Sequence, residues 1–214
     1  MNNKIKIIKE KIEQLITLDT DHKIFGANAH KYSQNSPLTP KQIKEYEIAH
    51  NIILPNEYKE FLLYIADGKI GPFYGLYSLE FNDDTTLEIS KEFPFTKKDP
   101  FVLIDAYEDI SEDLESDEEY DEYYEKIFSP ARCGHIILAT EGCGMYSVLI
   151  VNGKEYGNVW FKDLANDAGM FPLINPINSQ PLGFYDWYLL WLDKSIKSLL
   201  NESPELSSYA DFIK

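Results

Sequence analysis

The chain has 214 residues, 44% of them hydrophobic, and a formal charge of −16 from 20 Lys plus Arg against 36 Asp plus Glu. That length suits one substantial core and a single domain over 1–214, and the charge argues against nucleic acid or an anionic membrane as partner. The opening MNNKIKIIKEKIEQ has no secretory h-region, apolar runs such as Val148 to Val151 are too short to span a bilayer, and Cys133 and Cys143 are too few for a disulfide framework, so the reading is a soluble cytoplasmic protein with free thiols and no cofactor.

Ile5, Ile8, Ile12, Leu15 and Ile16 recur at helical spacing among charged residues, which predicts an amphipathic helix from Asn3 to Leu18. Residues 19–38 show no period. Thr39, Pro40 and Gln42 then supply a cap, a first helical residue and a capping-box partner for a helix running to about Asn51. A third helix is predicted from Pro55, with Tyr58, Phe61, Leu62 and Ile65 on one side and Asp67-Gly68 closing it. GPFYGLYSLEF from Gly71 reads as a turn leading into a strand, and DPFVLID from Asp99 as a second strand.

The segment EDISEDLESDEEYDEYYE, Glu108 to Glu125, holds eleven carboxylates and no Lys or Arg. Ile110, Leu114, Tyr120, Tyr124 and Phe128 form a weak helical stripe, and Ser116 with Glu119 reads as a second capping box, so the segment is read as a helix with one wet, highly negative face. The bland alternative is a solvated or disordered charge run. It lacks the glycine and ligand spacing of an EF-hand loop, and solvated carboxylates do not split their pKa values as an acid/base pair must.

GHIILAT and MYSVLIV are strand-like runs joined by EGCG, and Asn152-Gly153 is a preferred type I′ turn before KEYGNVWF, giving three antiparallel strands in sequence. GFYDWYLLWLDKSIKSLL carries Phe184, Trp187, Tyr188, Trp191 and Ile196 on a last helix, packed inward or mediating a dimer, so oligomeric state stays open. The stretch EGCGMYS has neither a dinucleotide fingerprint nor a P-loop. Cys143 as nucleophile would need a base, and Glu141 beside it would raise the thiol pKa. Cys133, His135 and Cys143 are three soft donors without paired spacing or a fourth ligand, so no metal is assigned. The favoured reading of EGCG is a sheet turn whose glycines supply special backbone conformations.

LPNEYKEFLLYIADG followed by GPFYGLYSLE, with Leu54, Pro55, Phe61 and Leu62, and ATEGCGMYSVLIV with GNVWF, holding Gly142, Gly144, Val159, Trp160 and Phe161, resemble the SUKH superfamily, which includes the yeast cell-wall synthesis regulator and many bacterial immunity proteins. Ala66-Asp67-Gly68 and Met145 depart from its usual residues. The resemblance implies an α+β fold, a single antiparallel β-sheet flanked by helices, with a core of about 39–200, an N-terminal helix and an acidic insertion of about 108–128. It further implies a non-enzymatic immunity protein that neutralises a basic, nuclease-type bacterial toxin domain; the alternative is a cytoplasmic regulatory adaptor or scaffold. The acidic segment is the expected contact: Asp113, Glu115, Asp117, Glu118, Glu119, Asp121 and Glu122 to meet Lys and Arg, and Tyr120, Tyr123 and Tyr124 to supply contact area.

Overall fold

A computed structural model describes residues 2–108 and 116–200. The first helix, α1 (Asn3–Leu18), is capped by the Asn2 side chain, which accepts the Lys4 N–H at 3.1 Å, and it buries Ile5, Ile8, Ile12 and Leu15. Ile16, at the edge of that stripe, stays 40% exposed. A short turn, α2 (Ala27–His30), precedes α3 (Pro40–Ala49), where Thr39 and Gln42 close the predicted capping box. The next helix, α4 (Asn56–Tyr64), starts one residue after Pro55 and turns Tyr58, Phe61 and Leu62 inward.

Three local expectations are corrected. The third helix ends at Tyr64, not at Asp67-Gly68; Gly68 has φ +90°, and a Cβ there would stand 2.8 Å from the Ser78 backbone nitrogen, so it serves a close approach of two chain segments. The stretch from Gly71 is no strand. It folds back so that Lys69 and Leu76 exchange backbone hydrogen bonds at 2.7 and 2.8 Å, and it enters a 3-10 turn at Leu79–Asp84. The strand expected from Asp99 shrinks to β1 (Phe101–Val102), followed at once by the helix α5 (Leu103–Glu108).

The helix α6 (Asp117–Phe128) and a 3-10 turn at Pro130–Arg132 lead into the sheet. Strands β2 (His135–Gly142), β3 (Met145–Ile150), β4 (Val159–Asp163) and β5 (Gly169–Pro172) give the order β1-β5-β4-β3-β2, antiparallel throughout. The tight hairpin lies at EGCG: Gly142 pairs with Met145, and Cys143 and Gly144 between them have φ +52° and +79°, the left-handed pair of a type I′ turn. Asn152-Gly153, where that turn was expected, sits instead in a longer connection from Ile150 to Val159. There the Asn152 carbonyl accepts the Phe93 N–H at 3.1 Å, so a tertiary contact overrides the dipeptide preference.

Alternation divides the sheet residues between two faces. Ile136, Leu149, Val151 and Val159 join α1, α4 and α7 (Phe184–Leu199) in the main core, while Val148, Ile150, Trp160 and Met170 pack with Phe93 and Ala131 on the other side. The last helix buries Phe184, Trp187, Tyr188 and Trp191, each at most 2% exposed, so these rings pack inward and are not free for a dimer contact. Phe184 lies 4.9 Å from Tyr58 and 5.2 Å from Phe61, ring centre to ring centre. Gly183 offers no capping side chain, and Glu57 of α4 substitutes, its carboxylate accepting the Tyr185 N–H at 2.9 Å. Among the described residues no helix is long and apolar enough to cross a membrane. Phe184→Ala leaves a cavity in the middle of this ring cluster and is expected to cost about 3–5 kcal/mol of stability, read as a lowered urea midpoint with an unchanged slope.

Candidate functional site

The helix α6 carries six carboxylates and one ammonium in twelve residues, DEEYDEYYEKIF. It forms despite this self-repulsion because its first turn is well terminated. The Ser116 hydroxyl accepts the Glu119 N–H and the Glu119 carboxylate accepts the Ser116 N–H, both at 3.2 Å, and the early acids lie at the favourable end of the helix dipole. At the other end Arg132 pairs with Glu125. Tyr120, Tyr124 and Phe128, four residues apart, stack along one line with ring centres 6.4 and 4.2 Å apart. Phe128 is buried, whereas Tyr120 and Tyr124 are 54% and 46% exposed.

Of the residues expected to contact a partner, Glu118, Glu119, Tyr120, Asp121, Glu122 and Tyr124 are exposed on this helix and Tyr123 is half-buried. Asp117 opens the helix. Asp113 and Glu115, with Ile110 and Leu114 of the predicted stripe, lie outside the described residues. The helix thus offers a ridge of two aromatic rings flanked by carboxylates, a surface suited to a basic protein partner.

The base of this ridge is tied to the sheet by an ammonium. Lys162 of β4 is 9% exposed, and its Nζ donates to the Ala131 carbonyl at 2.9 Å and lies 3.2 Å from His135 Nε2. His135 Nδ1 is 2.8 Å from the Cys133 carbonyl, so the tautomer with its proton on Nδ1 donates there and leaves Nε2 to accept from Lys162. Burial first, and then the Lys162 charge, hold this imidazole well below the usual histidine range. Lys162 itself is lowered to about 8 by burial and by Arg132. Cys133 is buried against the Ser129 carbonyl at 3.4 Å, and burial followed by the charge of Glu88 pushes its thiol up, the opposite of what a nucleophile needs. Cys143 stands exposed at the hairpin tip. Cys133, His135 and Cys143 therefore do not converge, and among the described residues no group of three His, Cys, Asp or Glu side chains could hold a metal ion.

A second surface was not legible in the sequence. A cleft of about 800 Å³ runs between the end of α3 and the β3–β4 connection, bordered by Lys44, Ile48, Ile53, Asn152 and Tyr156. Ile48 and Ile53 are 69% and 66% exposed, and the Tyr156 hydroxyl donates to the Ile53 carbonyl at 3.0 Å across it. Its sequence signal is slight: Ile48 falls off the buried side of α3 that Ile43 marks.

A family model described as the SMI1/KNR4 family (SUKH-1) matches residues 37–178. No curated protein and no solved structure gave a match. The matched span contains α3, α4, the whole sheet and the acidic helix, while α1 and α7 flank it.

Glu141, in β2 just before the hairpin tip, is 6% exposed, and its Oε1 has no hydrogen-bond partner among the described residues. Burial and then the charge of Asp163 raise its pKa to about 8, so it is largely protonated at neutral pH and is no negative neighbour to Cys143. Between about pH 6.5 and 8 the folded chain holds this proton and the unfolded chain does not, so Glu141 lowers stability as pH rises through the window; the depressed His135 and His30 at its lower edge and Lys162 at its upper edge act with the opposite sign and offset part of the fall. The expected net loss is about 0.5 kcal/mol, read as a melting temperature that drops slightly from pH 6.5 to 8, and in Glu141→Gln the melting temperature should rise over the same window.

Proposed function

We propose, from the premise that the chain belongs to the SMI1/KNR4 family (SUKH-1), that it is a non-enzymatic immunity protein whose acidic helix binds and neutralises a basic toxin domain of the nuclease type. The observation that carries this reading is the ridge on α6, where Tyr120 and Tyr124 stand exposed among Glu118, Glu119, Asp121 and Glu122. A nuclease must hold polyanionic substrate and so presents Lys and Arg, and a carboxylate-lined surface complements that site and speeds encounter with it. The tyrosines add contact area at small entropic cost because each has only two side-chain torsions. Neutralisation by occlusion needs no chemistry from the protein.

The adaptor reading draws support from the other surface. Ile48 and Ile53 border a cleft of nearly neutral lining, which suits an apolar segment of a regulatory partner better than a basic toxin. The two readings separate in one experiment. Cells expressing a basic toxin domain encoded beside this gene should survive when the parent protein is co-expressed. A variant with Glu118, Glu119, Asp121 and Glu122 changed to Gln or Asn should lose that protection, with association at low salt slowed about 10- to 1000-fold. Full protection by the variant would remove the acidic helix from the interface, and no protection by the parent would favour the adaptor.

A further inference from the structure

Within the segment without sequence periodicity, 19–38, residues 19–35 form a built structure. Asp19, 1% exposed, accepts the Lys23 and Ile24 N–H groups at 2.7 and 3.0 Å and the Tyr32 hydroxyl at 2.5 Å. This draws the chain into a loop that sets His30, 6% exposed, against the Gly71–Leu76 turn, with its Nδ1 accepting the Tyr32 N–H at 3.0 Å. Lys31, Tyr32, Lys69 and Phe73 all have positive φ, between +49° and +70°, so four non-glycine residues on the two facing segments hold a costly conformation. Gly75, φ +97°, is required between them, since a Cβ there would lie 2.1 Å from the Lys69 carbonyl oxygen. Between the segments a cavity of about 310 Å³ is left open, bounded by His30, Ser33, Lys69, Tyr74, Tyr77 and Thr140.

We propose that this cavity binds a small organic carboxylate, with its charged group between the Lys69 ammonium and the Tyr74 hydroxyl. Both are donors without a hydrogen-bond or ion-pair partner among the described residues, and Tyr74 is 44% exposed at the rim. No Asp or Glu lines the cavity, although the chain holds 36 of them, so an anion entering here meets one ammonium and no opposing carboxylate. The other polar groups are already engaged: the Ser33 hydroxyl donates to the His30 carbonyl at 2.6 Å and the Thr140 hydroxyl to the Met145 carbonyl at 3.1 Å. Burial first, and then the charge of His22, lower the His30 pKa to about 4, so the ring is a neutral wall at physiological pH. The volume admits a ligand of about amino-acid size, with the Tyr74 and Tyr77 rings for its carbon skeleton.

One wall, His30 and Ser33, precedes the family-matched residues 37–178, and the opposite wall lies within them. The site is thus made where this chain's own N-terminal part meets the family fold, and it stands independently of the toxin reading. The test is an amide-resolved NMR titration of the full chain with sodium acetate, against sodium chloride at equal ionic strength. Saturable shifts at Lys69, Gly75 and Thr140 are expected with acetate alone, with affinity about tenfold weaker in Lys69→Met and reduced in Tyr74→Phe. Equal shifts with chloride, or unchanged affinity in the variants, would overturn the assignment. Tyr74→Phe changes one exposed hydroxyl and keeps the test decisive if Lys69→Met is poorly folded.

Discussion

The burial of the aromatic side of α7 is the contact on which the architecture depends. Phe184, Trp187, Tyr188 and Trp191 lie in the main core with one face of the sheet, and α1 and α4 pack on the same helix. Rings of this kind bury about 150–250 Å² each and gain further from tilted and edge-on contacts such as the 4.9 Å approach of Phe61 and Tyr188. Yet neither α7 nor α1 lies within the family-matched residues 37–178. The matched part supplies a sheet with an apolar face, and the flanking helices complete its cover. Lys4 to Asp186, at 2.8 Å, adds a bond between the flanks, but that pair is partly exposed and contributes little beside the buried rings.

The other face of the sheet is organised differently, around a charge. Lys162 sits among Trp160, Met170 and Phe93 on that side of the alternation, and among the described residues its partners are the Ala131 carbonyl and His135, with no carboxylate. A buried ammonium held by neutral acceptors is expensive in stability, as its lowered pKa reflects. What it provides is position. Ala131 belongs to the turn directly after α6, so the bond sets where the acidic helix leaves the sheet. Most of the described side chains of that helix are exposed, and Phe128 at its end is buried.

The elements legible in the sequence were those whose determinants are local or periodic. The stripe of α1, the Thr39 and Ser116 capping boxes and the ring spacing of α7 each follow from residues within one or two turns of one another, and each is found where expected. The failures share a cause in contacts between distant segments. Asn152-Gly153 is a good hairpin pair, but Phe93 claims the Asn152 carbonyl, while the less typical Cys143-Gly144 forms the turn because the β2–β3 register brings Gly142 opposite Met145. The aromatic, glycine-punctuated stretch after Gly71 has the composition of a strand, but its backbone partners are Lys69 and single residues of β2. The exposed part of the acidic helix was legible because it is a one-dimensional property; the Ile48–Ile53 cleft was not, because its two walls are about a hundred residues apart in sequence.

In the proposed interface the carboxylates and the aromatic rings of the acidic helix do different work. Carboxylates exposed to solvent gain little from a single ion pair and are screened beyond about 10 Å at ordinary salt, so their main effect is on the rate and direction of approach. Aromatic rings act only at contact, where losing their hydration slows dissociation. A solvated charge run kept for solubility would have no need to hold Tyr120 and Tyr124 in line with the buried Phe128, since exposed rings work against solubility. The rings are one continuous stack from the interior outward, and a partner that covers Tyr120 and Tyr124 extends a packing arrangement already anchored by Phe128. That continuity is the observation that supports the proposal of this helix as a contact surface.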